Sequence, residues 1–284
     1  MVKTFQKIKT NYMKNLDYSK VEAHIVAWLK KHAENIKMQG FVIGISGGVD
    51  SAVVSTLAAK TGLKLYTIQM PIRQKSDEVN RASNHIKWLM DNFSNVETIN
   101  CDLTDTFNCF LFDVEKHDNL EKQNLAEANT RSRLRMVALY YYASIKNCLV
   151  LGTGNKVEDF GIGFCTKGGD SQVDISPIGD LMKSEVRKLG KYMGVLEEIV
   201  IAKPTDGLWD DGRGDEDQIK ATYDELEQAM EYVENNPRHF DYSPEDLSTL
   251  SQREQEVLLI YKTRHFANEH KMQMPPICKI DNII

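Results

Sequence analysis

Apolar residues recur at helical spacing early in the chain, where Val21, Ile25, Val26, Leu29 and Ile36 share one face behind Ser19 and Glu22. Serine followed three residues later by glutamate is a capping-box pattern, so an amphipathic helix is predicted to start at Ser19 and to end by Gly40. Residues 41–45 (FVIGI) form a short apolar run bounded by glycine-rich sequence, the mark of a strand buried on both faces. Alanine, valine and leucine then dominate 51–61, and Gly62 stands where a helix C-cap glycine belongs.

The alternation continues along the chain. Strands are predicted at 63–70, 96–100 (VETIN) and 148–151 (CLVL), with helices near 77–92 and 120–146 between them. Repeated strand–helix units specify an α/β fold, a parallel sheet flanked by helices in the Rossmann manner. From 152 to 180 glycines, carboxylates and lysines replace the apolar periodicity, and this stretch reads as a functional loop. Helices resume near 182–193, 215–235 and 244–269, with the polar segment KPTDGLWDDGRGDED among them. With 284 residues, no internal repeat and no low-complexity linker, the expectation is one domain over 1–284.

Charge narrows the function classes. The 35 basic and 41 acidic residues leave a net charge of −6, so no global field exists for holding a nucleic acid or an anionic membrane surface. The opening MVKTFQKIKTNYMKN contains no apolar core of signal-peptide length, and no later run is long enough to span a bilayer, so a cytoplasmic protein is expected. Five scattered cysteines without a C-x-x-C pair predict reduced thiols, and the seven histidines show no zinc spacing.

Candidate chemistry concentrates in Gly44-Ile45-Ser46-Gly47-Gly48-Val49-Asp50-Ser51. Glycines between a strand and a helix let backbone N–H groups approach a ligand, and the helix adds its positive end, so an anion belongs there. Ser46 and Ser51 supply hydroxyl donors. Asp50 puts a carboxylate in an anion site, which is reasonable if a hard cation such as magnesium accompanies a phosphate. Neither the Walker A pattern nor G-x-G-x-x-G is present. Arg131, Arg133 and Arg135 follow at i, i+2 and i+4 on a predicted helix, so the middle one points away from the other two; for Arg131 and Arg135 a solvated basic face and a ligand role both stay open. Thr153 follows a strand end, where α/β folds place ligands.

SGGVDS after the first strand resembles the signature of the PP-loop ATP pyrophosphatases, whose loop holds the pyrophosphate end of ATP. Further blocks resemble the ammonia-dependent NAD synthetases within that superfamily: ANTRSRLRM at 128–136, LGTGNKVED at 151–159, FCTKGGDSQVDISPIGDLMKSEV at 164–186, KPTDGLWDD at 203–211, TYDEL at 222–226 and EHKMQMPP at 269–276. The resemblance implies ATP contacts at 44–51, Thr153, Lys183 and Thr205. It implies deamido-NAD contacts at Arg133, Lys167, Asp174, His270 and Lys271, and magnesium on Asp50 and Glu158. It further implies a homodimer, no attached glutaminase domain, and a loop at 203–217 that closes over ATP.

The reaction so implied starts with attack of the deamido-NAD carboxylate on the α-phosphorus of ATP; ammonia then displaces AMP from the acyl-adenylate. No general base is needed for an attacking carboxylate already ionised at neutral pH. For the ammonia step Asp174 is a weak candidate proton acceptor, and His270 and Lys271 are expected just beyond the last helix. Two other readings compete: another PP-loop enzyme such as a tRNA-modifying one, disfavoured by the lack of C-x-x-C clusters and basic excess, and a nucleotide sensor without turnover.

Overall fold

The computed structural model describes residues 16–209, 212–236 and 240–280. The opening stretch at 1–15, together with Asp210 and Asp211 of the loop block, lies outside them. Helix α1 (Tyr18–Asn35) is capped by Asp17, whose carboxylate accepts the Lys20 backbone N–H at 3.3 Å, two residues before the expected Ser19 cap. It stops at Asn35, short of Gly40, because the chain turns through Lys37 at a φ of 60°. Gly40 opens the sheet instead.

Four strands, β1 (Gly40–Gly44), β2 (Lys64–Gln69), β3 (Val96–Asn100) and β4 (Cys148–Val150), run parallel in the order β3-β2-β1-β4. Helices α2 (Val49–Lys60), α3 (Ser76–Asn92), α4 (Thr104–Asp113) and α5 (Leu120–Lys146) connect them. Strand alternation divides the core. Phe41 and Ile43 meet Leu29 of α1, Val53 and Leu57 of α2, and Leu189 of α6 (Lys183–Tyr192). Val42 faces the opposite way and shares a cluster with Phe107 of α4 and Leu139 of α5. Both faces of the sheet are therefore covered, which is why these strands read as apolar runs.

Beyond β4 the expected loop contains a π-helical turn (Lys156–Ile162), opened by Asn155, whose side chain accepts the Glu158 N–H at 3.2 Å. Two more short helices, α7 (Glu197–Val200) and α8 (Asp215–Ile219), precede α9 (Tyr223–Asn235), α10 (Pro244–Leu247) and α11 (Gln252–Met272). The helix expected over 215–235 is thus two, broken at Lys220 (φ 71°) and restarted where Thr222 and Glu225 form a capping box. The helix expected over 244–269 is likewise divided, with Ser251 and Glu254 as the second box. Val157 and Ile162 of the π turn pack with Leu226 of α9 and Val257 of α11 in a core of their own. That packing fixes Glu158 relative to the sheet.

Candidate active site

In this strand order the chain leaves β1 for β2 and β3 on one side and then crosses back from β3 to place β4 on the other side of β1, and the crevice at the C-terminal ends of β1 and β4 is where such sheets place ligands. The 46–51 loop lies on one wall and residues 151–154 on the other. Gly47 adopts φ +84°, and a Cβ there would lie 2.6 Å from the Glu78 carbonyl oxygen, so glycine is required twice over. The Ser46 and Ser51 hydroxyls lie 3.0 Å apart, and the Gly48 N–H donates to Ser46 Oγ at 3.1 Å. The loop is therefore held open by its own serines at the start of α2, whose positive end faces the crevice.

Deeper in the crevice a lysine is surrounded by acids. Lys183, the first residue of α6 and 4 % exposed, places Nζ 2.5 Å from Asp50 Oδ2 and 3.0 Å from Glu158 Oε1. Asn155 Nδ2 donates to Asp50 Oδ1 at 3.2 Å. The Tyr223 hydroxyl hydrogen-bonds to Glu158 and lies 3.1 Å from Asp215 Oδ2, while the Tyr223 ring lies 4.9 Å beneath the Lys183 ammonium. Burial by itself would lower the Lys183 pKa, but Asp50 and Glu158 outweigh it and hold the ammonium above the usual lysine range. One cation cannot compensate every acid around it. Burial raises Glu158, and burial reinforced by the Glu158 charge pushes Asp215 up to about 7.

The cavity, about 250 Å³, is lined by all of the expected ATP and metal residues: 44–51, Thr153, Glu158, Lys183 and Thr205. The expected deamido-NAD residues do not line it. They form a neighbouring group, in which exposed Arg133 donates through Nε and Nη2 to the Lys167 carbonyl at 3.2 and 3.1 Å. Lys167 Nζ donates in turn to the His270 carbonyl, and Lys271 Nζ to the carbonyls of Gly163 and Cys165 at 3.1 and 2.8 Å. His270 and Lys271 belong to the last turn of α11, not to the segment after it. Asp174 is tied to the sheet, accepting the Val150 N–H at 2.8 Å and the Tyr140 hydroxyl at 3.2 Å. The two groups touch through their sequence neighbours, since Ser132, Phe164, Asp170 and Val173 do line the cavity.

The arginine spacing resolves as the helix geometry requires. Arg131 is 3 % exposed with its guanidinium over the Phe107 ring, and Arg135 donates to the Met70 carbonyl at 3.1 Å, so neither forms a solvated face. Arg135 Nη2 is buried without a partner at the cavity wall, and Arg81 and Arg187 line the same wall. Sequence reasoning left Arg135 open and missed Arg81, Arg187, Tyr223 and Asp215 in and around this crevice. Tyr223 and Asp215 stood in view within TYDEL and GDED, but an acid or a tyrosine in a polar segment gives no sign of being buried. A second cleft of about 1060 Å³, between α1, α6 and α9, contains none of the expected residues.

Two carboxylates reaching one cation from α2 and the π turn suit a hard ion equally well. Among the described residues no group of three or more His, Cys, Asp or Glu is arranged to hold a metal. Asp50 and Glu158 are the two carboxylates here that could contribute oxygen ligands to a hard cation.

Comparison with known proteins decides the family. The family model for NAD synthase matches residues 21–275. The chain belongs to the NAD synthase family. It is 34 % identical over 260 residues to the NH(3)-dependent NAD(+) synthetase of Syntrophomonas wolfei, covering 90 % of this chain and 94 % of the relative. Among solved structures, this NAD synthase family member resembles NMN synthetase from Francisella tularensis, with TM-score 0.77 and 30 % identity over 93 % of this chain and 99 % of the other. It also resembles the NH3-dependent NAD synthetase from Campylobacter jejuni, in complex with the nitrate ion, with TM-score 0.71 and 27 % identity over 93 % and 100 %.

Proposed function

We propose that the chain is an ammonia-dependent ligase that amidates deamido-NAD to NAD, consuming ATP and releasing AMP and pyrophosphate. The observation that carries this reading is Lys183, held between Asp50 and Glu158 where the glycine loop opens. An ammonium there, with Arg135 and Arg187 nearby, offsets negative charge that develops when the substrate carboxylate attacks the α-phosphorus. Pyrophosphate departs toward the 46–51 loop and α2. Asp50 and Glu158 would hold a magnesium ion, and the chemistry it would supply there is Lewis-acid polarisation of phosphate oxygens. Arg133, Lys167, Asp174, His270 and Lys271 take deamido-NAD, with Asp174 also accepting the Val150 N–H of β4. Thr153 and Thr205, which both line the cavity, take the nucleotide, and closure over it would keep water from the adenylate.

A homodimer fits the surface of α5, where Val137, Tyr141 and Ile145 repeat every four residues at 67 %, 62 % and 59 % exposure. Sedimentation at working concentration tests it, and a fully active monomer contradicts it. Among the described residues no helix is long and apolar enough to cross a membrane.

The likeness to an NMN synthetase favours a second reading, in which the acid amidated is the mononucleotide. Purified protein is given ATP, magnesium and either acid, with ammonium or with glutamine alone. The expected products are NAD, AMP and pyrophosphate in equal amounts, with ammonium only and with kcat/KM higher for deamido-NAD. A higher value for the mononucleotide transfers the assignment to the second reading.

A further inference from the structure

We infer that Asp215 holds the ammonia that attacks the adenylate, and this inference rests on the amidation reading above. Asp215 is 4 % exposed, lines the cavity, and places Oδ2 3.1 Å from the oxygen of the Tyr223 hydroxyl, whose shorter contact is with Glu158. Its other oxygen, Oδ1, is buried without a partner. Of the other acids lining the cavity, Asp159 is only partly buried, Glu78 meets Gln74, and the rest are engaged. Asp50 has Lys183 and Asn155, Glu158 has Lys183 and Tyr223, Asp170 has Ser132 and the Thr166 N–H, and Asp206 has the Leu208 N–H, Trp209 and Gln218.

A buried carboxylate oxygen left without a donor is unfavourable, and a small donor reaching it would relieve that. Of the three reactants, ATP and the acid substrate bring their negative ends to this crevice. Ammonia alone presents a reacting atom that is an N–H donor without negative charge.

The backbone places this acid at the foot of the 203–214 segment: the Asp215 N–H donates to the Pro204 carbonyl at 3.1 Å, joining the two ends of the segment next to Thr205. In the amidation step the nitrogen lone pair forms the C–N bond, the bond from the acyl carbon to the phosphate oxygen breaks, and AMP leaves with that electron pair. The proton lost by nitrogen passes along its hydrogen bond to Oδ1 and then to solvent.

The test separates the two half-reactions. Exchange of labelled pyrophosphate into ATP, driven by deamido-NAD without ammonia, reads adenylation; NAD formation over a range of ammonium concentrations reads amidation. Asp215→Asn is expected to keep the exchange rate within about threefold while raising the KM for ammonium about tenfold or more, the effect of one charge-assisted hydrogen bond. Asp159→Asn removes a charge from the same cavity and is expected to leave that KM within about twofold. Equal loss of both half-reactions in Asp215→Asn, an unchanged ammonium KM, or the same rise in Asp159→Asn overturns the inference. Absence of deamido-NAD-dependent exchange in the parent instead overturns the amidation reading itself.

Discussion

Lys183 is 4 % exposed and bound by two acids from different elements, whereas Arg133, fifty residues earlier in the chain, is exposed and leans on the Lys167 carbonyl. Both are cations assigned to substrates, yet the first is fixed by charge and burial and the second by backbone acceptors alone. The half of the site around Lys183 is complete within the fold, and removing any member leaves a buried charge exposed to its neighbours. The half around Arg133, Lys167 and Lys271 borrows carbonyl oxygens, so its donors are free to exchange them for a ligand. A variant in the first half should cost both stability and chemistry; one in the second should cost affinity only.

Lys183→Met breaks the comparison most severely. It leaves Asp50 and Glu158 buried without their cation, a change that destabilises proteins by about 3–5 kcal/mol and here also removes charge from the transition state. Turnover should fall at least about a hundredfold, measured as pyrophosphate release, with a lower midpoint in thermal unfolding. Full stability in that variant would place Lys183 in the exchangeable half.

A pH effect of similar kind is expected behind the loop. His85 of α3 is 0 % exposed, 2.9 Å from Ser55 Oγ of α2, and burial pushes its pKa down to about 4. A folded pKa below the unfolded value of 6.5 means that the stability is present above pH 6.5 and is lost as pH falls toward 4, by up to about 3 kcal/mol. Asp215 and Glu158, whose pKa values are raised, act in the opposite direction. The difference in unfolding free energy between parent and His85→Gln is therefore the quantity to follow, at pH 7.5 and 4.5. It should shrink in acid; a constant difference removes His85 from the account.

Arg133→Ala sharpens the comparison with the smallest effect. One lost charged hydrogen bond, about 1.5 to 3 kcal/mol, raises the KM for deamido-NAD roughly tenfold or more. The KM for ATP and the thermal midpoint should not move. An equal effect on both substrates would deny that the two halves are separate.

The same division decided what the sequence revealed. FVIGI followed by SGGVDS named the strand, the loop and the helix because local rules govern all three, and β3 lies where VETIN placed it. Capping boxes at Thr222 and Ser251 were equally local, but they were read past within longer apolar patterns, so two helices were expected where four exist. Helix α4 was missed although Asp102 accepts the Thr104 N–H at 2.8 Å and Phe107 and Leu111 have helical spacing. Asp215, Tyr223 and the inward turn of Arg131 and Arg135 depend on residues far away in the chain. Only tertiary packing buries them, and no local pattern encodes that.

The central claim is that adenylation at Lys183 depends on the acid substrate held by the other half. Pyrophosphate release by the purified protein with ATP and magnesium, measured with and without deamido-NAD, tests it most directly. The account predicts release that requires deamido-NAD and is matched by AMP once ammonium is added; release unaffected by deamido-NAD, or none under either condition, would contradict it.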